Sequence, residues 1–341
     1  METPYTGLHR KGGCVALEVA PTGPWRVETV MPTVLRLRLI PQDDVCLYLD
    51  HPPAQAWFLA LAAQYDRVWE APGAPDGAGG WAASLHAPNE RHPYAVSPLY
   101  HAGRTPLWED DAVRPWLTPD GGRPGPHRPR SRRADIARPL QARNPWGRPL
   151  ALRVSLADDE RARNLLAALP HLVLPPLGRV PCALERFPVL TPTDPDVLYA
   201  SWARLADAPA AERLRVTFET PTAAGHDGAS RGQLQAAHLL KSWGEAWQWA
   251  PPEARAAALG GLEGLTADGL VLHSQGLARE SLPTKGGLRS GFVGEMEIGF
   301  RPGTPAAVRR AVTALASVAD FFGTGAKTAL GMGQTRVRLW E

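Results

Sequence analysis

Apolar and basic residues alternate along MPTVLRLRLI, residues 31–40. Leu35, Leu37 and Leu39 fall on one side, Arg36 and Arg38 on the other. A period of two predicts a strand with one buried face. The period then changes. After Pro53, which suits a first helical turn, Trp57, Phe58, Leu61, Tyr65 and Val68 recur every three or four residues and predict a helix. Alternation returns in LALRVSL, 150–156, and a helix is expected from about Asp158 to Leu169. The second half repeats the theme more clearly. ERLRVTFETP, 212–221, reads as a strand and about 232–249 as a helix. Residues 269–281 and 287–300 read as two strands, with Met296, Ile298 and Phe300 on one face of the second. Thr304-Pro305 reads as an N-cap and first helical position. The helix they open carries Val308, Val312, Leu315 and Phe322 in one stripe, and 334–340 is a last strand.

The order strand, helix, strand, strand, helix, strand is the ferredoxin-like arrangement. The first half is a looser copy of it. The expected class is therefore α+β, with tandem ferredoxin-like (RRM-like, β-α-β-β-α-β) domains. We expect an appended N-terminal tail over 1–30, a first domain over 31–190 and a second over 191–341. A proline-rich crossing, 171–212, joins the halves. Residues 118–140 are poor in apolar groups and carry Arg128, Arg130, Arg132 and Arg133, which suggests a flexible basic insertion.

Composition changes the picture only a little. The 341 residues fit two ordinary domains. Net charge is +3 and pI about 8.9. Lysine stands only at Lys11, Lys241, Lys285 and Lys327, so nearly all basic residues are arginine. Cys14, Cys46 and Cys182 lie far apart, with no pair at zinc spacing. That argues against a structural zinc or a disulfide framework and fits a reducing cytoplasm. No apolar run has the ~20 residues a membrane span needs. No cofactor or metal is expected.

The segment richest in chemistry is GTGAKTALGMG, 323–333, set between the last helix and the last strand. Glycine allows positive φ and close approach to a ligand. Gly323, Gly325, Gly331 and Gly333 surround one cation, Lys327, as a phosphate-binding loop would. A nucleotide P-loop fits poorly. Ala326 stands where the glycine before the lysine belongs, Phe321 takes the first glycine position, and the loop runs from helix to strand. A tight connection without a ligand is the plain alternative.

Two ferredoxin-like modules, with G-x-G-x5-G-x-G before the last strand, resemble the RAMP superfamily of CRISPR-associated RNA-binding proteins. LHAPNERHPYAVSPL, 85–99, resembles the segment carrying the catalytic histidine of CRISPR repeat-processing endoribonucleases. VTFETPT, 216–222, and GLRSGFVGEMEIGF, 287–300, resemble C-terminal segments of that family. The resemblance covers most of 31–341. Matching position by position, His86 takes the place of the family histidine. His92 stands where the family often has lysine, with Arg91 before it. Tyr65 is the nearest candidate for the tyrosine of the first helix, although an ungapped alignment places Ala63 there.

The resemblance implies metal-independent cleavage of a CRISPR precursor transcript within its repeats. The 2′-hydroxyl attacks the neighbouring phosphorus, giving a 2′,3′-cyclic phosphate and a 5′-hydroxyl. Histidine suits either proton transfer because its pKa of ~6.5 lies near working pH. It also implies CRISPR repeat RNA as partner, and leaves open other CRISPR effector subunits and a homodimer. Lys327 and the amides of the four loop glycines are the phosphate candidates. Lys285 and Arg289, at the TKGGLRS turn, would reach an RNA stem. A non-catalytic RNA-binding subunit built on the same fold is the main alternative, and the 85–99 segment argues against it.

Overall fold

The computed structural model describes residues 31–48, 53–70, 80–85, 92–101, 141–144, 149–191, 194, 196–223, 234–262, 265, 269–284 and 287–340. The expected tail, 1–30, and the expected basic insertion, 118–140, lie outside the described residues.

The first alternating run is strand β1, Thr33–Pro41. Leu35, Leu37 and Leu39 are fully buried, and the arginines between them are half-exposed. A short strand β2, Val45–Tyr48, and helix α1, Pro53–Tyr65, follow. Next come helix α2, Trp81–Leu85, and strands β3, Tyr94–Val96, β4, Tyr100–His101, and β5, Gln141–Asn144. LALRVSL forms β6, Leu150–Leu156, and helix α3 spans Asp159–Ala168. Asp158 caps α3, its Oδ1 accepting from the Glu160 N–H at 2.9 Å.

The proline-rich crossing is more structured than its composition suggests. It holds β7, Cys182–Leu184, β8, Val197–Tyr199, and a short helix α4, Trp202–Ala206. Both strands pair antiparallel with β1, while β6 takes its other edge and pairs in turn with β3 and β4. Strands this short show no period, so pairing partners decide them rather than pattern. Buried Asp194 and Asp196 anchor the segment: Arg186 Nε donates to Asp196 at 2.6 Å, and Arg38 Nη2 reaches Asp196 at 3.4 Å.

The second half contains β9, Arg213–Thr222, α5, Ala236–Ala246, and α6, Pro252–Leu259. Then follow β10, Leu270–Thr284, β11, Gly287–Phe300, α7, Ala306–Ser317, α8, Ala319–Phe322, and β12, Thr335–Trp340. The sheet order is β10-β11-β9-β12, all antiparallel, which is the expected ferredoxin-like topology. Helix α6 was not expected; alanine and proline gave it no clear apolar stripe. The N-cap expectation at Thr304 needs correction. Its hydroxyl turns back to donate to the Arg301 carbonyl at 2.7 Å, and Pro305 takes the cap position without a side-chain bond.

Among the described residues, two large apolar cores result. One gathers Leu35, Leu37, Leu39, Trp57, Phe58, Leu61 and Leu152. The other gathers Trp202, Trp243, Trp247, Leu214, Ile298 and Phe322. They interlock at their margin. Ala329, from the glycine loop, packs in the first core, whereas Val34 and Ala157 pack in the second.

Candidate nucleic-acid interface and catalytic segment

His86 and Arg91 lie outside the described residues, but the chain on either side of them is well anchored. Helix α2 ends at Leu85, which is 1% exposed. Its start is held by Asp66, whose Oδ2 accepts from the Ala82 N–H at 2.6 Å. Gly80 has to be small here, because a Cβ would lie 2.4 Å from that same oxygen. Trp81 packs edge-on against Phe58 and Tyr65, with ring centroids at 5.9 and 5.6 Å. Phe58 meets Tyr94 at 5.3 Å, and Tyr94 meets His92 at 5.3 Å. One chain of rings therefore links α1, α2 and β3, with Tyr65 and His92 at its two ends.

Within this cluster the side chains differ in character. His92 is half-exposed. Tyr94 is buried and its hydroxyl accepts from Gln55 Nε2 at 3.1 Å. Burial pushes the Tyr94 phenol above its ordinary pKa. Burial does the same to Tyr65, against an opposing pull from Arg161. Tyr65 therefore stays protonated through neutral pH. At 4% exposure, it packs on Trp81 and supports α2.

The glycine loop has the backbone its composition suggested, for a different reason. Gly323, Gly325, Gly331 and Gly333 all have φ between +69° and +94°, and Lys327 joins them at +63°. Yet each glycine amide already donates inside the protein. Gly323 N bonds the Ala319 carbonyl at 2.9 Å, Gly325 N bonds Ser242 Oγ at 2.7 Å, Gly331 N bonds the Thr328 carbonyl at 3.2 Å, and Gly333 N bonds the Pro221 carbonyl at 3.1 Å. The reading of these amides as phosphate donors is therefore corrected. The glycines are needed because neighbours occupy the Cβ positions, such as the Gly333 carbonyl at 2.3 Å from Gly323 and the Ala223 carbonyl at 2.3 Å from Gly325. Lys327 is the exposed cation that this folded loop presents.

The β10–β11 hairpin is long, 15 and 14 residues. Pairing between β11 and β9 stops at Phe292, so Gly287–Ser290 and their partners on β10 run past the sheet edge. Arg289 lies on this arm, half-buried, and Arg279 covers the Phe292 ring at 5.2 Å. Lys285, at the tip, lies outside the described residues. Lys241 sits on α5 beside Glu245, 3.9 Å away.

Pattern reading missed two features. One is Asp66, a single carboxylate between helix periods, whose partner is visible only in three dimensions. The other is which arginines the fold brings together, since alternation put Arg36 on the polar face without showing its neighbours. Arg36 lies directly across from Arg153. Arg153, Arg336 and Arg338 all act on Asp320, whose carboxyl burial pushes up despite them and despite its bond from Val337 N at 2.9 Å. Among the described residues no His, Cys, Asp or Glu cluster suits a metal ion, and no helix is long and apolar enough to cross a membrane.

Comparison with known proteins agrees with this geometry. Residues 216–335 match the family model described as CRISPR-associated endoribonuclease Cas6. A Cas6 product complex superimposes with a TM-score of 0.56 at 23% identity, over 91% of this chain and 100% of that one. Thermus thermophilus Cas6 gives 0.53 at 21% identity, over 91% and 100%. A Cas6 substrate mimic complex gives 0.51 at 19% identity, with the same coverage. No curated protein matches the chain. The chain thus matches the Cas6 family model across 216–335 and shares the fold of these structures along nine-tenths of its length.

Proposed function

We propose that this protein binds CRISPR repeat RNA and cuts the precursor transcript within each repeat, without a metal. One observation carries the reading most directly. Strand β3, which follows His86 and His92 in the chain, packs directly against the glycine loop that presents Lys327. Lys327 precedes the loop turn that packs on that strand.

In the reaction, His86 takes the proton from the 2′-hydroxyl. The 2′ oxygen bonds phosphorus as the bond to the 5′ oxygen breaks, leaving a 2′,3′-cyclic phosphate. The leaving 5′ oxygen receives a proton from His92, or from His86 if the two exchange roles. Arg91 and Lys327 offset the charge that builds on the phosphate. Tyr65 holds α2 in place, and Arg289 with Lys285 contacts RNA along the hairpin arm. RNA stems are read mainly by shape and phosphate, which suits such scattered cations.

Cleavage of repeat RNA in EDTA tests the proposal, with wild type, His86→Ala and an RNA carrying 2′-deoxy at the cut site. Cutting by wild type alone, blocked by the deoxy sugar, is the expected result. Tight binding without cutting by wild type would instead identify a non-catalytic RNA-binding subunit.

A further inference from the structure

The glycine loop commits its glycine amides inward, and through Ala329 and Gly331 it packs on the other half of the molecule. Ala329 is 4% exposed within the N-terminal core. Gly331 is buried at φ +94°, and a Cβ there would lie 3.0 Å from Cγ, Cδ and N of Pro98. Pro98 stands just past β3, six residues after His92. Its own position is fixed by Ser97, whose Oγ accepts from Arg153 N at 2.7 Å and whose N–H donates to the Arg153 carbonyl at 2.8 Å. From the other side, Gly333 N ties the loop to β9 through Pro221.

From this arrangement we infer that the loop is the joint that fixes the histidine-bearing segment relative to the C-terminal sheet, with Gly331 as its positioning residue. The inference rests on the endoribonuclease reading only for its catalytic consequence. Under that reading the hairpin arm and Lys327 hold RNA from the C-terminal half, and His86 and His92 act from the N-terminal half. The seam between Gly331 and Pro98 then sets the distance from base to scissile phosphate. Rates are steep in that distance: a misplacement of about 1 Å can cost about 10²-fold. Gly331 touches no reacting group, so loosening it separates cutting from binding.

The test compares Gly331→Ala with Gly303→Ala. Gly303 has a similar φ, +86°, but nothing lies within 4 Å of its missing Cβ, so it carries the backbone strain without the contact. Three readouts are taken: repeat-RNA affinity, single-turnover cleavage, and hydrogen exchange of the Tyr94–Ser97 amides. Gly331→Ala is expected to keep affinity within about threefold, slow cleavage by about 10²-fold, and speed exchange in β3. Gly303→Ala is expected to change none of these. Adding Pro98→Ala, which removes two of the three contacted atoms, is expected to restore part of the rate. Loss of affinity as large as the loss of rate would overturn the joint and favour an RNA cradle. So would unchanged β3 exchange. If wild type cuts no repeat RNA, the endoribonuclease reading fails by itself, and β3 exchange alone decides the joint. If Gly331→Ala does not fold, Ala329→Gly removes only the methyl group placed in the N-terminal core. It must then show faster β3 exchange with affinity kept, and the opposite result overturns the inference.

Discussion

Removing the Asp66 carboxylate should release the helix that leads into His86. Asp66 is 9% exposed, and its Oδ2 accepts from Ala82 N at 2.6 Å, at the open end of α2. In Asp66→Ala that N–H loses its partner inside the protein. A lost cap costs ~1 kcal/mol, and a hydrogen bond to a charged group is worth about 1.5–3 kcal/mol. A loss of ~2 kcal/mol in local stability corresponds to about a 30-fold rise in opening. Hydrogen exchange of the α2 amides should quicken by about that factor, and cleavage should slow because His86 follows α2 directly. Asp66→Asn keeps an acceptor and should show a smaller effect. Gly80→Ala gives an independent check. Its Cβ would sit 2.4 Å from Asp66 Oδ2, so it should loosen α2 as well. Combined with Asp66→Ala it should do less harm than the two changes summed, since the collision partner is gone. Exchange in α2 within twofold of wild type in Asp66→Ala, or strict additivity in the double variant, would refute the assignment.

Other perturbations read different parts of the molecule. His86→Ala should lower single-turnover cleavage in EDTA by about 10²–10⁴-fold while leaving repeat-RNA affinity nearly unchanged. Lys327 is a non-glycine residue at φ +63°. Lys327→Gly should therefore raise thermal stability slightly, by about 0.5–1 kcal/mol, yet weaken RNA binding and reduce its salt slope by about one. Asp320 is held above its ordinary pKa by burial. Its neutral form is the one the fold favours, so its contribution is fully present below the ordinary carboxyl value of 3.8 and is lost as pH rises through the raised value. Asp320→Asn should accordingly gain melting temperature over wild type at pH 7, and the gain should shrink as pH falls toward 4. A gain that grows on acidification would show that Arg153, Arg336 and Arg338 dominate instead.

The sequence by itself determined the elements whose burial is periodic. Leu35, Leu37 and Leu39 could only be a one-sided strand, and Met296 and Ile298 likewise, because a period of two puts every second residue on the same core. Helices with an apolar stripe, α1, α3, α5 and α7, were legible for the same reason, and so was the C-terminal topology that their order implies. The loop glycines and the histidine segment were visible as local strings. What they do with their neighbours was not. Strands β7 and β8 are three residues each and exist because β1 offers an open edge. Asp66 finds Ala82 sixteen residues away only after α1 and α2 have packed through Trp81. The loop glycines were read as space for a ligand, whereas the space is filled by Ala223, Thr324, Gly333 and Pro98. Periodicity reports how one segment meets a core. Only the tertiary structure brings two segments together, and here the anchoring of α2 and the packing of the glycine loop both depend on such long-range contacts.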